Sequence, residues 1–230
     1  MNQLFTKREY LDAEINEILA SQKFSRYYEY LIAENKNVNL TRIVDIDSVY
    51  YKHFYDSLIL TKFIDLKNKK FLDVGAGAGF PSIPLKMIDD SIELTIVDSL
   101  NKRIKFLERL TQELDIKGCT LIHGRAEEIE KKHYFDIVTS RAVAKLNILS
   151  ELTIPFVKLG GYFIAYKSIN YKEELKEAMT AIEELGGKLD RVEEYSISDS
   201  ETRVLIFIKK IRLTKKISPR QFGKIKQRPL

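Results

Sequence analysis

A short apolar strand followed by closely spaced glycines constrains this chain more than any other feature. Residues 70–74 read Lys-Phe-Leu-Asp-Val, an apolar run bounded by glycine, which predicts a buried strand. Glycines occupy alternate positions from Gly75 to Gly79, and a helix is expected from about Phe80, with Pro81 in its first turn. A strand, a glycine turn and a helix form the nucleotide site of open α/β sheets, because glycine lets the backbone approach a ligand closely.

The spacing of the glycines distinguishes between nucleotide motifs. Counted from Gly75, the dinucleotide pattern G-x-G-x-x-G requires glycine where this chain has Phe80, and no lysine follows Gly79 as a P-loop requires. An NAD-dependent oxidoreductase is therefore disfavoured. The pattern G-x-G-x-G after the acidic Asp73 is instead similar to the first motif of S-adenosylmethionine methyltransferases. That cofactor has no phosphate, so the turn need only leave room for its methionine end.

A second predicted strand supports a nucleoside ligand. Residues 93–97 are rich in β-forming side chains and are followed by Asp98, roughly 20 residues beyond the glycines. A carboxylate at this position can accept hydrogen bonds from both ribose hydroxyls. NAD and S-adenosylmethionine both contain a ribose, so Asp98 does not distinguish between them and the glycine spacing does.

Strands alternate with helices along most of the chain. Strands are predicted at 70–74, 93–97, 119–122, 135–139, 162–167, 189–196 and 203–209. Helices are predicted at 8–20, 22–35, from an N-cap at Asp47 or Ser48 to about 64, 80–88, 100–114, 146–157 and 171–185. The helix 146–157 is expected to be distorted near Pro155 and to end at Gly160-Gly161.

This alternation predicts an α/β fold with a mostly parallel, doubly wound sheet of seven strands. The short link 198–202 predicts an antiparallel C-terminal hairpin. We divide the chain into an N-terminal helical extension (1–66), a core (67–210) and a basic C-terminal tail (211–230). In such a sheet, ligands bind at the carboxyl ends of the strands. The site is therefore expected at 75–80, 98–100, 124–127, 140–142 and 167–168.

The net charge of +5 is concentrated at the C-terminus. Residues 209–230 contain nine basic and no acidic side chains, whereas the remaining chain has 29 basic and 33 acidic ones. This distribution predicts that one segment contacts a polyanion. Cys119 is the only cysteine, so no internal disulfide can form, which is typical of a reducing cytoplasm. No signal peptide, transmembrane helix or zinc pattern is expected.

Several distinctive motifs occur inside and outside the predicted core. In the core they are Leu72 to Pro81, Asp98-Ser99-Leu100-Asn101-Lys102-Arg103 and Ser140-Arg141-Ala142. Outside the core they are Asn39-Leu40-Thr41, His53-Phe54-Tyr55-Asp56-Ser57, Ser218-Pro219-Arg220 and Lys226-Gln227-Arg228-Pro229-Leu230. Together these motifs resemble the bacterial family RsmG, also called GidB. The resemblance covers roughly Asn39 to the end of the chain, and the first two helices are less distinctive.

The resemblance implies a Rossmann-like class I methyltransferase that transfers the methyl group of S-adenosylmethionine to N7 of one guanine in 16S rRNA. The implied partner is 16S rRNA or the 30S subunit. The composition and residue patterns separately predict a cytoplasmic protein with no membrane segment and no metal, and a monomer is the default expectation. The cofactor-binding residues implied by the motifs are Asp73, Gly75, Gly77, Gly79, Phe80, Asp98, Ser99, Leu100, Ala126, Glu127 and Arg141.

Roles near the target base and in RNA binding are also expected. Arg141 is the candidate for positioning the guanine or the cofactor carboxylate, and Asn39, His53 and Lys167 are candidates for shaping the target pocket. The candidate RNA-binding residues are Arg212, Lys215, Lys216, Arg220, Lys224, Lys226 and Arg228. Truncation after Lys210 is expected to weaken rRNA binding and to leave cofactor binding near normal.

Two alternatives stay open from the sequence. The same fold serves methyltransferases that act on small molecules, and fold alone does not exclude such a substrate. A non-enzymatic nucleotide-sensing or RNA-binding module would bind the cofactor without forming a methylated product. The basic tail and the motifs of the family argue against the first alternative.

Overall fold

The fold is built on a seven-stranded sheet that is covered by helices on both faces. The structure is a computed structural model, and it describes residues 11–141, 143–215 and 218–230. The strands are β1 (Lys70–Val74), β2 (Glu93–Asp98), β3 (Cys119–His123), β4 (Phe135–Arg141), β5 (Val157–Ser168), β6 (Gly187–Ser198) and β7 (Glu201–Lys210). The helices are α1 (Ala13–Leu19), α2 (Gln22–Val38), α3 (Ile46–Val49), α4 (Asp56–Leu58), α5 (Ser82–Ile88), α6 (Asn101–Glu113), α7 (Leu146–Thr153), α8 (Lys172–Glu184) and α9 (Phe222–Gln227).

The order of strands in the sheet is β3-β2-β1-β4-β5-β7-β6. The first five strands are parallel, and β7 runs antiparallel to both β5 and β6. The chain moves outward from β1 to β3 and then crosses to β4 on the other side of β1, so the topological switch point lies between β1 and β4. The predicted doubly wound sheet and its antiparallel C-terminal hairpin are confirmed.

Successive residues of the central strands point into two separate hydrophobic cores. Phe71 and Ile137 face a core that includes α1, α2, α5 and α6, whereas Leu72 and Val138 face one that includes α7, α8 and α9. Because side chains alternate across a strand, a strand covered on both faces is apolar throughout. This explains why β1 was recognisable in the sequence as a short continuous apolar run.

The N-terminal helices differ at their ends from the prediction. Helix α1 begins at Ala13, because the Asp12 carboxylate accepts a hydrogen bond from the Ile15 N–H at 3.0 Å and caps the first turn. Helix α2 continues to Val38, three residues beyond the predicted end. The third helix is capped by Asp45 rather than Asp47 or Ser48, and a π-helical segment at Tyr50–Tyr55 joins α3 to α4.

Two predicted helices in the sheet region are also corrected. Helix α5 begins at Ser82 rather than near Phe80. Helix α7 ends at Thr153, and a 3₁₀ turn at Ile154–Phe156 leads directly into β5. Pro155 lacks the N–H that a continuing helix requires, so the helix cannot reach residue 157. The glycine pair Gly160-Gly161 therefore lies inside β5 instead of ending a helix.

The C-terminal residues pack against the sheet and α7. Lys210 is buried and its ammonium donates hydrogen bonds to the carbonyls of Ile154 (3.0 Å) and Leu185 (2.7 Å) and to the Thr214 hydroxyl. Ile225 of α9 is fully buried in the core beside α7. Among the described helices, none has the length and apolarity needed to cross a membrane.

Candidate active site

A cavity of about 440 Å³ lies at the carboxyl ends of β1 and β2, beside the topological switch point. The glycine turn, Asp98 and the loop after β3 form its floor and sides. The remaining walls come from the loop after α2, the end of β4 and the start of α9. The residues that line it are Leu40, Thr41, His53, Val74, Gly75, Ala76, Gly77, Ala78, Phe80, Val97, Asp98, Ser99, Arg103, Gly124, Arg125, Ala126, Glu127, Arg141, Val143, Leu152 and Phe222.

Glycine is required at two positions of the turn after β1 for different structural reasons. Gly77 adopts φ of 60°, its N–H donates to Asp98 Oδ2 at 3.1 Å, and a Cβ built on it would meet no atom within 4 Å. Gly79 adopts φ of 98°, and a Cβ there would lie 2.7 Å from both Ile83 and the Tyr27 hydroxyl. Gly77 therefore leaves space in the cavity for a ligand, whereas Gly79 allows the turn to pack against the helices.

Asp98 presents a carboxylate fixed by the protein itself. Its side chain is almost fully buried. Oδ1 accepts from the Leu100 N–H at 2.9 Å, and Oδ2 accepts from the Gly77 N–H and from Arg103 Nη1 at 3.2 Å. A carboxylate offers about four acceptor positions, and these three donors leave about one for a ligand. This preorganised acceptor at the edge of the cavity suits a ribose hydroxyl.

Asp73 lies beneath the glycine turn, fully buried in β1. Burial raises the pKa of Asp73 to about 7, while hydrogen bonds from Ser82 and Thr139 and the charge of Arg141 act in the opposite direction. The Thr139 hydroxyl donates to Asp73 Oδ1 at 3.3 Å. Asp73 thus supports the turn from behind and is absent from the cavity lining.

Arg141, the last residue of β4, is held in a fixed orientation at the cavity wall. Its Nη1 donates to Asp56 Oδ2 at 2.7 Å, its Nη2 lies 3.2 Å from His53 Nδ1, and its guanidinium carbon lies 5.1 Å from the centroid of the Phe80 ring. Nδ1 of His53 also lies 3.1 Å from the Lys52 carbonyl, so it accepts from Arg141 in one tautomer and donates to Lys52 in the other, in which the unprotonated ring nitrogen is Nε2. That nitrogen is 2.9 Å from the Thr41 hydroxyl.

His53 is a neutral imidazole in this environment. Its ring stacks on Phe80 with centroids 4.6 Å apart. Burial, followed by the nearby charge of Arg141, lowers the pKa of His53 to about 3. The side chain is therefore placed to bind and orient neighbours through its two ring nitrogens.

A buried carboxylate joins three parts of the fold next to Arg141. Asp56 of α4 is fully buried, and its Oδ2 accepts from Arg141 and from Arg203 Nη1 at 3.1 Å. Its Oδ1 accepts from the Tyr195 hydroxyl at 2.6 Å. Arg203 also pairs with Glu201 at 2.7 Å. Asp56 was part of a recognised motif, but nothing in the sequence indicated that two arginines from β4 and β7 would converge on it.

A second cavity, of about 510 Å³, lies on the other side of Arg141. Lys167 points into it and is held there by the Ala144 carbonyl (2.9 Å) and Glu174 Oε1 (2.6 Å). Arg141 belongs to the lining of both cavities. The second cavity is lined by Arg141, Tyr166, Lys167, Ser168, Ile169, Glu174, Ser200, Glu201, Thr202 and Arg203.

The structure brings most of the predicted site residues to one place. The first cavity is lined by Gly75, Gly77, Phe80, Asp98, Ser99, Ala126, Glu127, His53 and Arg141. Five candidates, Asn39 among them, do not line it. Asp73 and Gly79 lie behind the turn, Leu100 is exposed beside it, and Lys167 lines the second cavity. Asn39 is exposed at the end of α2 in a left-handed conformation, and only its neighbours Leu40 and Thr41 reach the cavity.

The predicted RNA-binding residues fall into three groups. Lys215, Lys224, Lys226 and Arg228 are exposed. Arg212 donates to the Glu183 carbonyl, and Arg220 is paired with Glu151. Lys216 lies outside the described residues, as does Ala142 of the motif after β4.

Phe222 is a lining residue that sequence reasoning missed. Only the basic residues of the tail had been considered, and a single phenylalanine carries no signal of where it packs. Arg103 was contained in a recognised motif, but its pairing with Asp98 depends on the first turn of α6. The side chain of Tyr27 is buried in the core, and its hydroxyl donates to the Ala78 carbonyl in the glycine turn.

Solved structures of other proteins share this fold. The crystal structure of TYW2 from M. jannaschii in complex with AdoMet superimposes with a TM-score of 0.59 and 18% identity, covering 74% of this chain and 80% of that one. The YcgJ protein of a Bacillus species gives a TM-score of 0.55 and 15% identity, covering 70% and 100%. At these identities the likeness shows the fold alone.

Sequence relatives are much closer. A family profile described as GidB, rRNA small subunit methyltransferase G, matches residues 20–204. A protein of Lactobacillus johnsonii called ribosomal RNA small subunit methyltransferase G is 47% identical over 225 residues, covering 94% of both chains. A protein of the same name from Lactobacillus acidophilus is 48% identical over 217 residues, covering 91% of this chain and 90% of its own. These matches confirm the predicted enzyme class and its S-adenosylmethionine cofactor, and the chain belongs to the rRNA small subunit methyltransferase G (GidB) family.

Proposed function

We propose that this chain transfers the methyl group of S-adenosylmethionine to N7 of a guanine in 16S rRNA of the small subunit. The family match over residues 20–204 carries the proposal. The cavity beside the glycine turn supports it, because its volume of about 440 Å³ lies within the range of about 300–1,000 Å³ of small-molecule sites. When bound, the cofactor supplies a methyl group attached to a positively charged sulfur.

The proposed cofactor site follows the walls of the first cavity. Gly75 and Phe80 line the methionine and ribose side, and the open space at Gly77 accommodates the ligand. Asp98, with its neighbours Ser99 and Leu100, accepts the ribose hydroxyls. Ala126 and Glu127 lie against the adenine, at the end of the cavity that follows β3.

The proposed reaction needs no general base, which agrees with the residues at the site. N7 of guanine carries an in-plane lone pair and no proton, so no proton has to be removed before it attacks a methyl carbon. His53, with a pKa lowered to about 3, is poorly suited to accept one at neutral pH. The chain would therefore accelerate the reaction by aligning the reactants in a preorganised site that excludes water.

The second cavity is the proposed pocket for the target base. It shares Arg141 with the cofactor cavity, so a base bound at the boundary would lie beside that guanidinium and close to the cofactor. Guanine presents O6 as an acceptor next to N7, and because the N7 lone pair must attack the methyl carbon, arginine and lysine donors would bind O6 and leave N7 free. Arg141 and Lys167 offer such donors, and His53 helps to fix Arg141. Asn39 would contribute only through the position of the loop that carries Thr41.

The exposed basic residues of the C-terminus are the proposed contact with the RNA backbone. Lys215, Lys224, Lys226 and Arg228 are exposed and have no acidic residue among their sequence neighbours after Lys209. Binding through phosphate contacts weakens as the salt concentration rises, because the release of counterions from the RNA is then less favourable. A cytoplasmic location and a monomeric state remain predictions from the sequence.

The decisive experiment measures methyl transfer from labelled S-adenosylmethionine to deproteinised 16S rRNA and to 30S subunits from cells that lack this protein. We expect 7-methylguanosine at one site in nuclease digests, and the better substrate identifies what the enzyme recognises. Cofactor binding without transfer to either RNA would contradict the proposal and favour a small-molecule substrate or a sensing role.

Arg141→Lys tests the proposed alignment. Lysine keeps the charge but cannot contact Asp56, His53 and the substrate with one rigid planar group. We expect a loss of about 100-fold in kcat/KM, since a displacement of about 1 Å in a reacting group can cost that much. Turnover and thermal unfolding of the variant are measured beside wild type, at a temperature where both proteins are folded. Unchanged turnover would argue against a role for the guanidinium geometry.

A further inference from the structure

The C-terminal segment, residues 218–230, forms one wall of the cofactor cavity. Phe222, the first residue of α9, lines the cavity next to Ala126 and Glu127. Its N–H donates to Glu127 Oε1 at 2.8 Å, and the Arg125 guanidinium carbon lies 5.5 Å from the centroid of its ring. The loop after β3 and the start of α9 therefore hold each other at the same end of the cavity.

A buried ion pair holds this segment against α7. Glu151 is fully buried, and Arg220 approaches it with Nε and Nη2 at 2.7 and 2.6 Å. The Arg220 N–H donates to the same carboxylate at 3.0 Å. Bidentate pairs of this kind are strong and fix geometry, and removing one partner would leave a buried charge without a partner. Ile225 adds a fully buried apolar contact one turn later.

We propose that Phe222 is a cofactor-binding residue and that the C-terminal segment closes the adenine end of the cavity. The proposal rests on the adenosyl placement given under the proposed function. An aromatic ring at the edge of the cavity can bury one face or edge of the adenine and exclude water from it. In this arrangement Arg220 is a positioning residue that acts through the segment, so its pairing with Glu151 contributes to the affinity for cofactor.

The inference changes the expectation for truncation of the tail. A detached RNA-binding tail could be removed without affecting the cofactor. Removal of residues 218–230 would instead take away Phe222, whose N–H pairs with Glu127, and Arg220, which pairs with the buried Glu151. We therefore expect the truncated chain to lose affinity for cofactor as well as for RNA.

The test compares binding of S-adenosylhomocysteine to the full chain and to its variants by calorimetry. Phe222→Ala should weaken binding about tenfold, the effect of losing one well-packed aromatic contact. Gln227→Ala is the matched control, because Gln227 is exposed on the same helix, and it should bind like wild type. 5′-Methylthioadenosine, which lacks the amino-acid end, should lose the same factor with Phe222→Ala, since the contact lies at the adenine end.

Hydrogen exchange on the wild-type chain gives a second readout that depends on no variant. Bound S-adenosylhomocysteine should slow exchange of the amides at 222–227 when added at saturation. Binding by Phe222→Ala within twofold of wild type, together with unchanged exchange at 222–227, would overturn the inference. Neither readout involves RNA, so a failure to methylate 16S rRNA would contradict the proposed function and leave this inference to be judged separately.

Discussion

At the scale of single residues, His53 shows how a side chain that titrates near neutrality in solution is kept uncharged. One ring nitrogen lies 3.2 Å from Arg141 Nη2 and 3.1 Å from the Lys52 carbonyl, and the other faces the Thr41 hydroxyl. Burial is the larger cause that lowers the pKa of His53, and the charge of Arg141 lowers it further, because protonation would place a second positive charge beside Arg141. Together they bring this pKa to about 3. A lone histidine on a helix gives no sign of this in the sequence, because Arg141 lies 88 residues away.

The pH dependence of stability should reveal this neutral histidine. Between pH 6.5 and about 3 the unfolded chain binds a proton at His53 and the folded chain does not. Acidification therefore favours unfolding, and this part of the stability is lost progressively as pH falls below about 6.5. We expect wild type to lose stability relative to His53→Gln between pH 7.5 and 5, measured by urea unfolding at several pH values.

An NMR titration of the His53 ring supplies the control for that comparison. The ring signals should stay constant from pH 8 to pH 5 in the wild-type chain. A midpoint near 6.5 would contradict the assigned environment, even if the two proteins differed in stability for another reason.

At the scale of elements, the glycine turn combines a ligand-facing position with a packing position. Gly77→Ala places a methyl group in open space at the cavity and adds the strain of a positive φ, roughly 1–2 kcal/mol. Gly79→Ala would place its methyl group 2.7 Å from Ile83 and Tyr27, so atoms in two helices would have to move.

The two alanine variants should therefore fail in different ways. We expect Gly77→Ala to fold with a small loss of stability and to bind S-adenosylhomocysteine clearly more weakly. Gly79→Ala should lose more stability, about 1–3 kcal/mol above the backbone strain, through overpacking. Thermal unfolding and calorimetric binding measured on both variants check this, and equal losses of stability would be inconsistent with the assigned roles.

Elements with strong local signals were predictable, and those that depend on tertiary contacts were not. Strand β1 was found at its observed bounds because its apolar run ends at a glycine. Helix α9 was missed, since six residues with two lysines and a glycine have weak helical periodicity, and burial of Ile225 against the core stabilises them. The π-helical segment at Tyr50–Tyr55 was also beyond prediction. Its Phe54 packs against Tyr27 of α2 and against Phe80, and these are tertiary contacts that the local sequence does not show.

The site was predictable to the same extent. Residues that follow strands were placed correctly by topology, since parallel strands end at one edge of the sheet. Phe222, Arg203 and Tyr195 come from distant parts of the chain and reach the two cavities or Asp56 only through folding.

At the scale of the whole molecule, Asp56 connects the N-terminal helices to the half of the sheet that contains β4, β5, β7 and β6. It accepts from Arg141 in β4, from Arg203 in β7 and from Tyr195 in β6. Asp56→Asn leaves Arg141 without its carboxylate partner and removes one of the two carboxylates that pair with Arg203. We expect a loss of about 3–5 kcal/mol in the free energy of unfolding.

Glu201→Gln is the matched control for Asp56. Glu201 also pairs with Arg203, but its side chain is 32% exposed, so the loss should stay within about 1 kcal/mol. Urea unfolding of both variants measures the difference. Similar small losses would mean that Asp56 does not join the parts of the fold energetically.

Helix α9 has two faces with different partners. Phe222 and Ile225 face the cavity and the core, whereas Lys224, Lys226 and the following Arg228 face solvent. A polyanion that immobilises the outer face would also immobilise a wall of the cavity, so the two ligands would be linked through one short element. Thermodynamic reciprocity then requires that RNA raise the affinity for cofactor by the same factor by which cofactor raises the affinity for RNA. An enzyme built this way would hold its methyl donor most tightly when the nucleic acid is already in place.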